Sequence, residues 1–198
     1  GHVKITTNYK IEHSRAEAGY PIQTPVIDIV EIGNGGGSIA WVDAGGKMRV
    51  GPKSAGAIPG PASYGKGGRN LTTTDANIIT GRIHPDFFLG GEQKPDYKGI
   101  EEAAEPLTRA LGATKEDVAK GMLRVANSNM INALKLISVN KGYDPRDFSM
   151  IVIGGGGALH GADLARELQV KELIVPANAG VFSAFGMLMS DLRRDYIR

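Results

Sequence analysis

Apolar positions fall in short β-branched runs over the first third of the chain and at helical spacing in the middle. Residues 26–32, Val-Ile-Asp-Ile-Val-Glu-Ile, are bounded by Pro25 and Gly33 and predict a strand running into a glycine turn, Gly33-Asn34-Gly35-Gly36-Gly37-Ser38. Two further short runs, 39–42 and 48–50, flank Asp43-Ala44-Gly45-Gly46-Lys47 and predict a hairpin. Residues 51–68 are dense in glycine and carry Pro52, Pro59 and Pro61, which excludes a long helix or a central strand there.

The pattern changes over 96–141. Asp96 is placed as the cap of a helix with Ile100, Ala103, Leu107 and Leu111 on one face; Pro106 should kink or split it and Gly112 end it. Thr114 opens a second helix whose first turn carries Glu116 and Asp117, where acidic charge complements the helix dipole. Apolar residues from Val118 to Ile137 keep helical spacing as far as Gly142, a helix of roughly seven turns. The remainder reads as strand (150–153), glycine turn, helix (158–168), strand (172–175) and a short helix (182–189), a βαβ unit with parallel strands.

Two glycine clusters are the candidate chemistry. Gly154-Gly155-Gly156-Gly157 follows a β-branched run and opens a helix, so its backbone N–H groups can approach a phosphate or nucleotide. The dinucleotide frame G-x-G-x-x-G fails, because it would require glycine at Leu159 or at His160, and Pro-Ala-Asn follows Val175 where an acidic residue belongs. A Rossmann-type NAD(P) oxidoreductase is therefore a rival reading with little in its favour, and tight helix-on-sheet packing is the bland one. At Gly35-Gly36-Gly37-Ser38 a hairpin follows instead of a helix, so an anion would be held by turn N–H groups and the Ser38 hydroxyl; the alternative is a glycine bulge in a twisted sheet. No P-loop motif occurs.

Composition narrows the classes. A net charge of +2, with Lys and Arg scattered and 6% aromatic residues, gives neither a nucleic-acid groove nor a basic membrane-binding helix. The absence of cysteine removes disulfides, thiolate metal clusters and a cysteine nucleophile, and with no apolar run of membrane length or signal peptide it predicts a cytoplasmic protein. The first residue is Gly, not Met, which suggests a piece cut from a longer chain.

Four segments in order now carry a resemblance: Ile32-Gly33-Asn34-Gly35-Gly36-Gly37-Ser38-Ile39-Ala40; Val50-Gly51-Pro52-Lys53-Ser54-Ala55-Gly56-Ala57 with Pro59-Gly60-Pro61-Ala62; Thr74-Asp75-Ala76-Asn77; and Gly154-Gly155-Gly156-Gly157-Ala158-Leu159-His160. Together they resemble the hydantoinase A family, which includes N-methylhydantoinase, 5-oxoprolinase and the ATP-consuming subunits of acetone and acetophenone carboxylases. The resemblance implies an α/β fold, an actin, hexokinase and Hsp70-like (ribonuclease H-like) ATPase lobe with a mixed sheet and an inserted helical element. Residues 1–198 would form the C-terminal part of that ATPase domain, with the phosphate turn, hairpin and Gly/Pro-rich loop in 25–95, the helical element in 96–141 and the adenosine-turn βαβ unit in 148–198. Gly35, Gly36, Gly37 and Ser38 would match the second phosphate-binding turn, and Gly154, Gly155, Gly156 and Gly157 the turn beside adenosine.

The implied cofactors are ATP and Mg2+, and the implied activity is phosphorylation of an amide, imide or ketone carbonyl for ring-opening hydrolysis or carboxylation. The implied partners are a small-molecule substrate, a hydantoinase B-type subunit or domain, and an N-terminal lobe bearing the Asp-x-Gly-Gly-Thr turn that this chain lacks. Without that turn the chain is expected not to turn over ATP alone, which keeps a non-catalytic nucleotide-binding or subunit-interaction module as the rival from another class. Asp75 could orient a magnesium water or the reacting carbonyl, or serve as a helix cap. His160 could touch substrate or nucleotide, or bond local backbone at the helix start. Asp28, in an apolar strand, needs a donor or a site role; Asn127, Asn129 and Asn132 either line a cleft or are solvated, and His2, His13 and His84 show no ligand spacing.

Overall fold

A computed structural model describes residues 5–6, 9–11, 20–22 and 25–191. The chain divides into two compact units, Gly1–Glu31 and Ile32–Arg198. In the first, β1 (Ile5–Thr6) pairs antiparallel with β4 (Val26–Ile27), and β2 (Tyr9–Ile11) with β3 (Tyr20–Ile22). The strand expected over 26–32 is thus only its first two residues. Asp28 lies just past the strand end, half-buried and not without a partner. His2 and His13 lie outside the described residues.

In the second unit the hairpin forms as predicted, from β5 (Ser38–Val42) and β6 (Met48–Ser54) in antiparallel register. Asp43 closes the connection: its Oδ1 accepts from the N–H groups of Gly45 and Lys47, both at 3.0 Å. β6 runs on past the predicted Val50 through Pro52, and Trp41 Nε1 donates to the Gly51 carbonyl at 2.8 Å. After the Gly/Pro-rich loop comes α1 (Thr73–Ile79).

Asp96 caps α2 (Tyr97–Leu111), accepting from Gly99 N, and Gly112 ends it in the left-handed region, both as expected. The helix neither splits nor ends at Pro106. Pro106 and Glu102, whose carbonyl loses its donor, are on the exposed side where water can replace the bond, while Ile100, Ala103, Ala104 and Leu107 bury the other side. Thr114 caps α3 (Lys115–Ile137), which stops short of Gly142; the Ser138 hydroxyl bonds the Leu134 carbonyl at 2.7 Å and a 3-10 turn, Val139–Lys141, follows.

The core lies between the hairpin, α1, α2 and α3, where Ala40, Val50, Leu71, Ile100, Met122 and Ala126 are buried together. Alanine at contact positions lets α1 and α3 approach closely: Ala76, Ala119 and Ala126 are fully buried. Last comes the predicted βαβ unit, β7 (Ser149–Ile151), α4 (Gly157–Leu168) and β8 (Glu172–Ile174), with parallel strands, then α5 (Phe182–Leu188). Ile151, Ile174 and Val175 remain substantially exposed there. Among the described residues no helix is long and apolar enough to cross a membrane.

Candidate functional site

The two glycine turns meet the same turn of α3. Asn34, at the start of the first, donates through Nδ2 to the Ala126 carbonyl at 2.8 Å. His160, in the first turn of α4 just after the second, bonds through Nδ1 to Asn127 Oδ1 at 2.7 Å. Segments more than a hundred residues apart in sequence are therefore tied to consecutive residues of one helix.

In the first turn the carbonyls point into the protein. Gly36 O accepts from Thr74 N at 2.8 Å and Gly37 O from Ala55 N at 2.9 Å. The N–H groups of Gly36 and Gly37 have no acceptor among the described residues. Two successive N–H groups without an acceptor are available as hydrogen-bond donors. Ser38 is buried; its hydroxyl oxygen accepts from Gly35 N at 2.8 Å, so it shapes the turn from inside. Glycine is also required by the packing behind the turn. A Cβ at Gly36 would sit 2.7 Å from Thr74 Oγ1, and one at Gly37 2.6 Å from Ser54 Oγ.

The second turn is different. Gly154 adopts a left-handed φ of 82° and donates its N–H to Ala179 O at 2.7 Å. A Cβ at Gly154, Gly155 or Gly156 would meet nothing within 4 Å. Gly156 is the N-cap of α4 and supplies no side chain to cap it; of the first-turn N–H groups, Leu159 N bonds back to Gly156 O at 3.1 Å. The left-handed backbone accounts for Gly154, while no packing contact requires glycine at 155 or 156.

Asp75 is fully buried and plays the cap role left open by the sequence. Its Oδ2 accepts from Thr72 N at 2.9 Å, Thr72 Oγ1 at 2.8 Å and Ala62 N at 3.3 Å, and its Oδ1 from Ser63 N at 2.8 Å. It completes a capping box with Thr72 and pins the 62–64 turn to α1. Both carboxylate oxygens are engaged and the side chain is fully buried, so neither is presented at the surface. Among the described residues no three His, Cys, Asp or Glu side chains gather as metal ligands.

His160 is buried and bonds a side chain, where the sequence left it between local backbone and ligand. Asn127 in turn donates through Nδ2 to Asp163 Oδ2 at 3.1 Å, and Arg82 holds both Asp163 Oδ2 at 2.7 Å and the Leu159 carbonyl at 2.8 Å. Burial, with Arg82 nearby, pushes the His160 ring below its ordinary pKa, against a smaller opposing pull from Asp163. Arg82 holds the Asp163 carboxyl below the usual carboxylate range. Arg82 and Asp163 read as ordinary surface charges in the sequence; only the fold brings them together.

A groove of about 880 Å³ opens between the end of α1, α3 and α4, with Arg82, Asn127 and Asp163 in its lining. A recess of about 310 Å³ lies beside the first turn, lined by Asn34, Asn129 and Asn132 among others, and Asn132 borders both spaces. Asn127 and Asn132 thus line clefts, while Asn129 also reaches the Val50 carbonyl at 3.4 Å. His84 caps a 3-10 turn through Nδ1.

The profile of the hydantoinase/oxoprolinase family matches residues 1–196. The chain belongs to that family. It is 48% identical over 178 residues to an uncharacterized protein of Methanocaldococcus jannaschii, covering 90% of this chain and 26% of that one. It is 39% identical over 179 residues to the caprolactamase subunit alpha of Pseudomonas jessenii, again 90% and 26%. The crystal structure of the ATP-dependent caprolactamase from that organism superposes with a TM-score of 0.79 over 88% of this chain and 26% of its own. A nucleotide-free acetone carboxylase, described as carrying out ATP-dependent acetone carboxylation, superposes with 0.81 at 30% identity over 93% and 25%. This hydantoinase/oxoprolinase chain spans about a quarter of the length of these relatives.

Proposed function

We propose that the chain is the nucleotide-binding lobe of an ATP-dependent enzyme with an actin, hexokinase and Hsp70-like fold, which activates an amide, imide or ketone carbonyl by phosphorylation. The observation that carries this reading is the convergence of both glycine turns on Ala126 and Asn127 of α3. The first turn, with the free N–H groups of Gly36 and Gly37, takes the phosphates, and the open turn at 154–157 takes the adenosine. In such a step the carbonyl oxygen would attack the terminal phosphorus of ATP as the bridging P–O bond breaks and ADP leaves with the electron pair, while the amide N–H or the carbon beside the ketone gives up a proton to solvent, leaving a neutral phospho-imidate or enol phosphate. The chain's share of catalysis is placement and hydrogen bonding of charge that develops on the phosphoryl oxygens. The ATP-dependent relatives support the nucleotide, and ring-opening hydrolysis or carboxylation is the expected outcome downstream.

The lobe acts with an N-terminal lobe and a B-type subunit or domain. Parallel sheets are normally covered on both faces, yet the β7 and β8 pair leaves Ile151 and Ile174 58% and 39% exposed. Such a surface fits a larger fold in which other segments complete the sheet. Asp75 is buried and engaged by the Thr72 and Ser63 N–H groups, which fits a lobe that binds nucleotide but does not turn it over alone.

Titration calorimetry of the chain with ATP, with and without the preceding part of a full-length relative, tests this. ATP binding that strengthens when the other lobe is supplied is the expected result. No ATP or ADP binding in either setting overturns the proposal, and NAD binding in its place would favour an oxidoreductase.

A further inference from the structure

The contacts linking Arg82, Asp163, Asn127 and His160 touch no reacting atom, yet they end on the first turn of α4. We infer that His160 is a positioning residue, uncharged with its proton on Nδ1, that fixes the four-glycine turn against α3 through Asn127. The inference rests on the reading of that turn as a nucleotide site.

Each partner fixes the next. Asp163 is an acceptor oriented by Arg82 at 2.7 Å, so the Asn127 group facing it at 3.1 Å must be the NH2. That leaves Asn127 Oδ1 facing His160 Nδ1 at 2.7 Å, and a carbonyl oxygen there requires the ring proton on Nδ1. The charged groups toward the ring are Arg82, from the loop after α1, and Asp163 on α4 itself; α3 presents the neutral Asn127. His160 is 6% exposed, and burial and the nearby guanidinium disfavour a second proton on its ring.

The tethers matter because the turn has few of its own. Gly154, Gly155 and Gly156 have nothing within 4 Å of a Cβ position, and α4 lacks a side-chain cap. Arg82 on the Leu159 carbonyl and Asn127 on His160 hold two consecutive residues of the helix's first turn. Losing them lets the open N–H groups drift relative to the turn anchored at Ala126, so nucleotide affinity should fall more than stability does.

The test combines the ring's own signals with binding by this chain. Ring nitrogen NMR of wild type should show the Nδ1–H tautomer and titration below the ordinary 6.5. Asn127→Asp, which sets a second carboxylate against Asp163, should lift that titration above 6.5. His160→Leu should weaken ATP binding about tenfold and speed amide exchange across 154–159, while His160→Asn, with an amide N–H near the Nδ1 position, should restore both. The Nε2–H tautomer, a titration at or above 6.5 in wild type, or equal amide exchange in His160→Leu and wild type would each overturn the inference. If no variant or wild type binds ATP, the nucleotide reading fails, while the tautomer and exchange measurements still decide the role of His160.

Stability should carry the same signature. A ring whose folded pKa lies below its unfolded one is fully stabilising above the unfolded value, and that contribution is lost as pH falls from about 6.5 through the folded pKa. His160→Asn should flatten this part of the pH dependence of the melting temperature.

Discussion

Asp75→Ala should unfold the lobe rather than silence a reaction. The substitution leaves the N–H groups of Thr72, Ala62 and Ser63 and the Thr72 hydroxyl without their acceptor, in a site that water does not reach. Each buried donor left unmade costs about 1–3 kcal/mol, and partial relaxation keeps the sum to roughly 3–5 kcal/mol. For a chain of this size that is a fall in melting temperature of about 10–15 °C. Asp75→Asn should lie between, since a carboxamide of the same shape retains one acceptor oxygen but turns an NH2 toward other donors. Thermal and urea melts measure both. A variant that melts like wild type yet loses ATP affinity would return Asp75 to the catalytic or metal role that the sequence left open.

Gly156→Val should do the reverse. Its backbone, at φ −97° and ψ −19°, accepts any L residue, and a Cβ there meets nothing within 4 Å. Valine is a poorer helix start than glycine, which costs about 1 kcal/mol. The isopropyl group occupies the space in front of the uncapped α4 N–H groups, so ATP affinity should drop about a hundredfold or more, roughly 2.7 kcal/mol. Calorimetry for affinity and a melt for stability separate the two effects. Gly36→Ala is the control, because its Cβ would lie 2.7 Å from Thr74 Oγ1 and the change should cost stability as well as binding. Equal loss of fold and affinity at Gly156 would mean that the four glycines serve packing.

These contrasts show why glycine-rich turns are ambiguous in sequence. The same letters mark a turn wedged against two hydroxyls at 36 and 37 and a turn facing empty space at 154–156. Membership of the hydantoinase/oxoprolinase family was legible from the order of the motifs, and the profile match over 1–196 bears it out. Helix caps were legible too, because Asp96, Gly112 and Thr114 act within three or four residues of where they stand. Pro106 was misleading: the lost hydrogen bond lies on the solvent side of α2, and burial of Ile100 and Leu107 holds the helix through it. The expected strand over 26–32 shortened because β-branched propensity needs a partner strand, and β1 pairs with only Val26 and Ile27.

By itself the sequence determined the hairpin, the two central helices and their caps, the βαβ unit and the family, since each depends on neighbours along the chain or on an ordered set of motifs. The tertiary structure decided what the side chains do. It turned Asp75 from a possible ligand into a buried acceptor for four donors, gathered Arg82, Asn127, His160 and Asp163 from three separate segments, and set both glycine turns on Ala126 and Asn127. Hydrogen bonding and burial depend on distances in space, and residues far apart in the chain leave no local pattern that records them.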